Sequence, residues 1–343
     1  MRTLSQRELN RALLARQGLL ERAELPLPAA LERFAGIQAQ YAPSMYIGLW
    51  SRLERFERDS LTAALEQRAV VQATLLRVTI HLVSARDFWP FALATRAARR
   101  VLWLRATPDA PSTAAMAGAA RSLRRRLERD GVLRRGEVEE LLGKPRTRGV
   151  GLWLDLVRVP PAGTWERRRA DLFGLAEDWI GAPDMSVREA TKRLVRSYLA
   201  GFGPATAKDV ASFTGLGLTA LRPVLTGLEL ERYRGEQGEE LLDVAGGPLP
   251  DPDTPAPPRF LPTWDATLLV HARRTGLLPE QHRPKLFNTK TPHSFPTFLV
   301  DGAVAGKWRH AGRAIELEPF AGLDAATRRA LAVEADRLVE FHA

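Results

Sequence analysis

The sequence predicts an α+β fold, mainly α, built from three tandem winged helix-turn-helix units and a β-rich C-terminal region. Three observations carry this expectation. The order helix, helix, helix, hairpin occurs twice in clear form, near 28–84 and at 186–244, and in weaker form between them. The stretch DVAGGPLPDPDTPAPPRF (243–260) is dense in Pro, Gly and Asp and separates these units from the C-terminal region. Beyond it, short runs rich in Val, Phe, Thr and Leu alternate with turn residues, as strands do.

Local signals place each element. Ser5-Gln6-Arg7-Glu8 has the spacing of a capping box and opens a helix to about Leu20. A second helix begins near Pro28 and runs through LERFAGIQAQ, with Pro43 ending it. A short helix spans about 44–53, and Ser60 caps LTAALEQRA. VVQATLLRVTIHLVS (70–84) is rich in β-branched residues and reads as a hairpin. The middle unit has helices AAMAGAARSLRRRLERD and RGEVEELLG with strands GLWLDLVRV and GTWERRR. In the third, Ser186 caps VREATKRLVRSYLAGFG, Gly203-Pro204 turns into ATAKDVASFTG, Thr219 opens ALRPVLTGL, and ELERYRGEQGEELLDV forms two strands. The tail contributes strands in FLPTWDATLLVH, SFPTFLVDGAVAGKWRH and RAIELEPF, then an amphipathic helix over about 322–342. Asp301-Gly302 between two apolar runs is a hairpin signal. The domain boundaries are therefore 1–110, 111–175, 176–245 and 255–343.

Composition narrows the class. At 343 residues, 45% hydrophobic and 26% charged, the chain is globular, and no apolar run is long enough to span a bilayer. A polar N-terminus without a signal-peptide pattern makes a cytoplasmic location the expectation. Cysteine is absent, which excludes disulfides and a thiolate nucleophile, and the six histidines show no metal-ligand spacing. Neither a metal nor a cofactor is expected. The net charge of +10 is unevenly placed: residues 1–150 hold 26 Lys+Arg against 15 Asp+Glu, whereas the rest is nearly balanced. That asymmetry points to a polyanionic partner such as nucleic acid. Alternatively, 44 of the 50 basic residues are Arg in an Ala-, Leu- and Gly-rich chain, a composition that high-GC coding also produces.

Gln38 and Gln40 are the unusual residues. Leu31, Phe34, Gln38 and Tyr41 fall on one helical face, which places Gln38 among apolar neighbours. A buried amide needs partners for both its ends. On a helix the two glutamines would lie roughly 200° apart and could share a cleft only if the helix loosened before Pro43. Read on chemistry alone, Gln38 is a satisfied core amide and Gln40 a surface or helix-terminal group.

Resemblance changes that reading. GIQAQYAPSMYIGLWSRL, LLRVTIHLVSARDF, FLPTWDATLLVHARR and FPTFLVDGAVAGKWR resemble, in order and spacing over essentially the whole chain, the AlkZ-like branch of the winged-helix DNA glycosylases. The hallmark of that branch is a Gln-apolar-Gln motif, here Gln38-Ala39-Gln40 with a small middle residue. The resemblance implies winged helices arranged in a C shape around duplex DNA. It also implies hydrolysis of the N-glycosidic bond of N7-alkylpurines, including crosslinked ones, with Gln38 and Gln40 catalytic. Arg77, His81, His271, Arg273, Trp308 and Arg309 match other positions and are expected to line the cleft or contact DNA.

The implied chemistry suits amides. An N7-alkylated purine is already a cation and leaves without a proton donor. The attacking water needs alignment more than deprotonation, and a glutamine carbonyl supplies it while pointing its dipole at the oxocarbenium sugar. Of the six lysines (Lys144, Lys192, Lys208, Lys285, Lys290, Lys307), none accompanies the motif. The expectation is therefore a monofunctional, monomeric enzyme without lyase activity. It would serve DNA repair or self-resistance to a genotoxin. The alternative is a non-catalytic winged-helix transcription regulator. Fold and charge fit both, and the Gln-x-Gln position separates them.

Overall fold

The computed structural model describes residues 1–269, 276–288 and 293–343, with a mainly helical α+β architecture and a β-rich C-terminal region. β1 (Thr3–Leu4) leads into α1 (Gln6–Arg16), whose capping box is formed as expected: Glu8 N–H donates to Ser5 Oγ at 3.2 Å and Ser5 N–H donates to Glu8 Oε2 at 2.7 Å.

The order helix, strand, helix, helix, strand, strand then recurs. In the first unit it is α2 (Leu27–Phe34), β2 (Ile37–Gln38), α3 (Ala42–Arg52), α4 (Arg58–Glu66), β3 (Val70–Thr74) and β4 (Ile80–Ser84). α4 starts earlier than expected: Glu57, not Ser60, is its N-cap, without a side-chain cap. After the long α5 (Ala85–Ala106) come α6 (Thr113–Asp130), β5 (Val132–Arg134), α7 (Arg135–Leu142), the one-turn α8 (Lys144–Thr147), β6 (Leu156–Arg158) and β7 (Leu172–Leu175). The expected strand at 163–169 is not formed; the segment that pairs lies at β7, because Leu133 and Val157 find Phe173 and Gly174 opposite them. α9 (Ala176–Ile180) precedes the third unit, which is α10 (Val187–Phe202), an Ala205 bridge to Leu242, α11 (Ala207–Thr214), α12 (Leu218–Thr226), β8 (Glu231–Gly235) and β9 (Glu240–Asp243). Gly217 caps α12, so Thr219 falls inside the helix rather than opening it.

No helix or strand forms between 244 and 258. The C-terminal region then comprises β10 (Arg259–Leu261), α13 (Ala266–Leu269), α14 (Arg283–Leu286), β11 (Phe287–Asn288), β12 (His293–Ser294), β13 (Thr297–Val300), β14 (Ala303–Ala311), β15 (Ala314–Pro319) and α15 (Ala325–His342). Within the run expected as a strand at 260–271, the described residues form a strand only to Leu261. Asp265 then accepts the Thr267 N–H at 3.0 Å and starts a helical turn. Asp301-Gly302 forms the expected tight turn, with φ of 45° and 75°.

Two sheets matter for the site. One has the order β2-β4-β3-β6-β7-β5, so the first and middle units share a single sheet, joined where Gln72 of β3 pairs with Arg158 of β6. The other, β10-β13-β14-β15, belongs to the C-terminal region. The faces of the shared sheet enter different cores. Val71, Ala73, Val83 and Val157 pack with Phe88 and Phe91 of α5 and with Tyr198, Phe202 and Phe213 of the third unit. Ile37, Ala39, Val70 and Leu82 pack with Tyr46, Trp50, Phe260, Phe298, Trp308 and Leu338. Met116, Leu123, Leu127, Leu133 and Val138 give the middle unit its own core.

Candidate active site

The segment around the two glutamines is not helical, contrary to the expectation of a helix reaching Gln40. α2 stops at Phe34 because Ala35 takes a left-handed conformation (φ 57°) and Gly36 comes next with φ 77°. Gly36 N–H returns to Leu31 O at 2.8 Å, a Schellman-type closure. A side chain at Gly36 would meet Val83 Cγ1 at 2.9 Å, so glycine is needed both for its φ and for its approach to β4. The chain then runs extended along β4, with Ile37 opposite Leu82 and Gln38 opposite His81. Pro43 ends nothing; it lies in the first turn of α3, which Tyr41 precedes in a β conformation.

The strand ends at Gln38 and Gln40 follows at a bend, so the helical separation of the two amides does not apply, but the cleft that Gln40 lines does not have Gln38 in its wall. Ala39 N–H makes the last ladder bond, to Ile80 O at 2.8 Å. Gln40 then turns its side chain back, its Oε1 accepting Ile80 N–H at 3.1 Å. The Gln40 carbonyl is thereby fixed and its NH2 remains outward.

Gln38 lies on the sheet face opposite to Ile37 and Ala39. It is 6% exposed, its amide makes no side-chain hydrogen bond among the described residues, and its polar atoms are not sealed from solvent. His81, directly across the strand, is 3% exposed. Its Nδ1 lies 3.1 Å from Thr79 O. A carbonyl only accepts, so Nδ1 carries the proton and Nε2 presents a lone pair. Burial first, then the charge of Arg77, push the His81 pKa down to about 3 against the opposing hydrogen bond to Thr79. The imidazole is neutral throughout the physiological range.

The other expected contacts scatter. Arg77 sits at the tip of the β3–β4 hairpin, where its guanidinium donates to Phe213 O and lies 5.5 Å from that ring, facing the third unit. Trp308 is a core residue whose Nε1 donates to Leu261 O at 3.0 Å. One edge of it reaches a cleft of about 290 Å³ shared with Tyr41, Trp165, His310 and His342. Arg309 is exposed on β14 and paired with Glu316 of β15. His271 and Arg273 lie outside the described residues.

A second cleft, about 240 Å³, opens beside Gln40 between the hairpin and the middle unit. Thr74, Ile80, Arg135, Arg148 and Arg158 line it, with no Asp, Glu or Lys among its walls. Sequence reasoning did not find these arginines, because the feature that marks Arg158, the lack of a carboxylate partner, exists only in three dimensions. Among the described residues, no cluster of three or more His, Asp or Glu is placed to hold a metal, and no helix is long and apolar enough to cross a membrane.

The fold defines a class first. The chain superimposes on Streptomyces sahachiroi DNA glycosylase AlkZ with a TM-score of 0.80 at 20% identity, covering 99% of this chain and 96% of that one. No curated protein matches the sequence significantly. The family model for the AlkZ-like DNA glycosylases matches residues 31–341, and the chain belongs to that family.

Proposed function

We propose that the chain is a monofunctional DNA glycosylase that hydrolyses the N-glycosidic bond of cationic N7-alkylpurines, including bulky or crosslinked ones. The observation that carries the reading is Gln38, a buried amide on an edge strand that makes no side-chain hydrogen bond among the described residues, opposite a neutral histidine. Its polar atoms remain open to solvent, so a water or a substrate can take the contacts that the described residues do not supply.

The site contains no evident proton donor strong enough to activate an unmodified purine. An N7-alkylguanine needs none, since the electron pair of the breaking bond neutralises its positive charge and the base departs neutral. As the C1′–N9 bond breaks, the electron pair goes to the purine and the sugar becomes an oxocarbenium ion. The Gln38 carbonyl aligns the incoming water and directs its dipole at that cation, and Gln40 borders the same strand. The attacking water gives its proton to solvent. His81, opposite Gln38, adds no positive charge to repel the sugar. We read the three recurrent units as winged helices that hold duplex DNA in a C-shaped surface, with the protein acting as a monomer in DNA repair or genotoxin self-resistance.

The test is incubation with duplexes carrying 7-methylguanine or an interstrand crosslink. Free base and an alkali-sensitive site are expected, without a borohydride-trapped protein–DNA adduct. Trapping would show lyase chemistry. Duplex binding without release from any cationic lesion would favour a non-catalytic regulator.

A further inference from the structure

The cleft beside Gln40 lies at the seam where Gln72 of β3 pairs with Arg158 of β6. Arg158 is held there with unusual care for an arginine that neutralises nothing. Its Nη2 donates to Thr74 Oγ1 at 3.0 Å, its guanidinium lies 5.5 Å from the Phe173 ring, and its Nε is sealed from solvent without an acceptor. No Asp or Glu pairs with it among the described residues. Burial, together with the charge of Arg135, pulls its pKa down to about 10, so it remains a cation at neutral pH. Arg135 and Arg148 share the cleft, both exposed and both without an ion pair or side-chain hydrogen bond among the described residues.

A partly desolvated cation without a counter-charge opposes folding. Buried Arg16 and Arg52 avoid the cost by each meeting a buried aspartate, and Arg77 and Arg99, which have none among the described residues, spend their donors on backbone carbonyls. At the seam the charge is left open, oriented by a hydroxyl and a ring and joined by two more guanidiniums. That is the construction of an anion site.

We propose that Arg135, Arg148 and Arg158 form a subsite for a backbone phosphodiester adjoining the reacting nucleotide. The inference rests on the glycosylase reading and adds to it the point at which the strand is gripped. The cationic purine cannot be the ligand, because three guanidiniums would repel it. A phosphodiester has one negative charge and two free oxygens, which match the fork of an arginine. Because Gln40 lines the same cleft, an anchored phosphate fixes how far the sugar stands from Gln40.

The test measures fluorescence anisotropy of an unmodified duplex over a sodium chloride series, comparing wild type, Arg158→Met, Arg135→Ala, and Arg329→Met on α15 as control. Arg158→Met is expected to weaken binding about tenfold at low salt and to lower the slope of log affinity against log salt by about 0.9. The loss should be equal for lesion-bearing and unmodified DNA, because a phosphate contact carries no base information. The unfolding midpoint of Arg158→Met should equal or exceed that of wild type, which a purely structural arginine would not permit. Arg135→Ala, being exposed, leaves folding untouched and should lower the slope likewise; Arg329→Met should not. An unchanged slope in both Arg158→Met and Arg135→Ala overturns the subsite while leaving base release, and so the glycosylase reading, intact. A wild type that binds no duplex at all overturns both.

Discussion

The arginines around α1 and α3 and those around the β3–β4 hairpin are buried to similar ends by opposite means. Arg16 is 1% exposed and lays both guanidinium nitrogens on Asp243, 2.7 Å to each oxygen, with Leu199 O taking a further bond. Arg52 meets Asp265 at 2.9 Å and also donates to Gly48 O. Arg11 is paired with Asp301 and with Thr254 O. Each of these ion pairs ties an N-terminal helix to a distant segment, and every charge is answered. Around the hairpin, Arg77 and Arg158 have no carboxylate among the described residues, Gln38 has no partner there, and His81 is buried neutral. The first region is completed by its own chain. In the second, the charges meet hydroxyl, carbonyl and ring groups rather than carboxylates among the described residues, and the motif Gln38-Ala39-Gln40 lies beside them. Buried polar groups without partners are expected where a protein binds something, and closed networks where it only holds itself together.

The comparison fails if the paired region tolerates loss of a partner. Asp243→Ala leaves Arg16 buried and unanswered and should cost about 3–5 kcal/mol in denaturant unfolding. Gly36→Ala should cost about 2 kcal/mol, since alanine resists φ near 77° and its Cβ would press on Val83. It should also slow base release by displacing β2 from β4.

The second region should announce itself in acid. The folded-state pKa of His81 is depressed to about 3, below its ordinary value near 6.5. The unfolded chain therefore takes up a proton first, and this stability is complete above pH 6.5 and lost as pH falls towards 3. Between pH 7 and 5 the loss is roughly 2 kcal/mol. In His81→Phe this part of the slope should vanish. The smallest effect is expected for Arg77→Met, within about 1 kcal/mol, because no counter-charge is orphaned.

The sequence made some elements readable and concealed others for definite reasons. The Ser5, Ser186 and Asp301-Gly302 signals act locally, and the elements they mark are formed. The motif strand was hidden because Leu31, Phe34, Gln38 and Tyr41 imitate helical spacing, whereas Gly36 had already broken the helix. A glycine after a polar last turn was the available clue. The motif's identity was readable through its resemblance to a family, but its geometry was not, since β2 exists only by pairing with β4, more than 40 residues away. Arg158 carried no local mark; its meaning depends on which acids fail to reach it.

The most direct measurement is single-turnover release of 7-methylguanine from a duplex by wild type, Gln38→Ala, Gln40→Ala and the double variant, with duplex affinity and unfolding midpoint measured in parallel. The double variant should lose about 10²-fold or more of the rate while binding DNA and folding much as wild type does. Full release by the double variant would contradict the assignment of the two glutamines as the water-holding site.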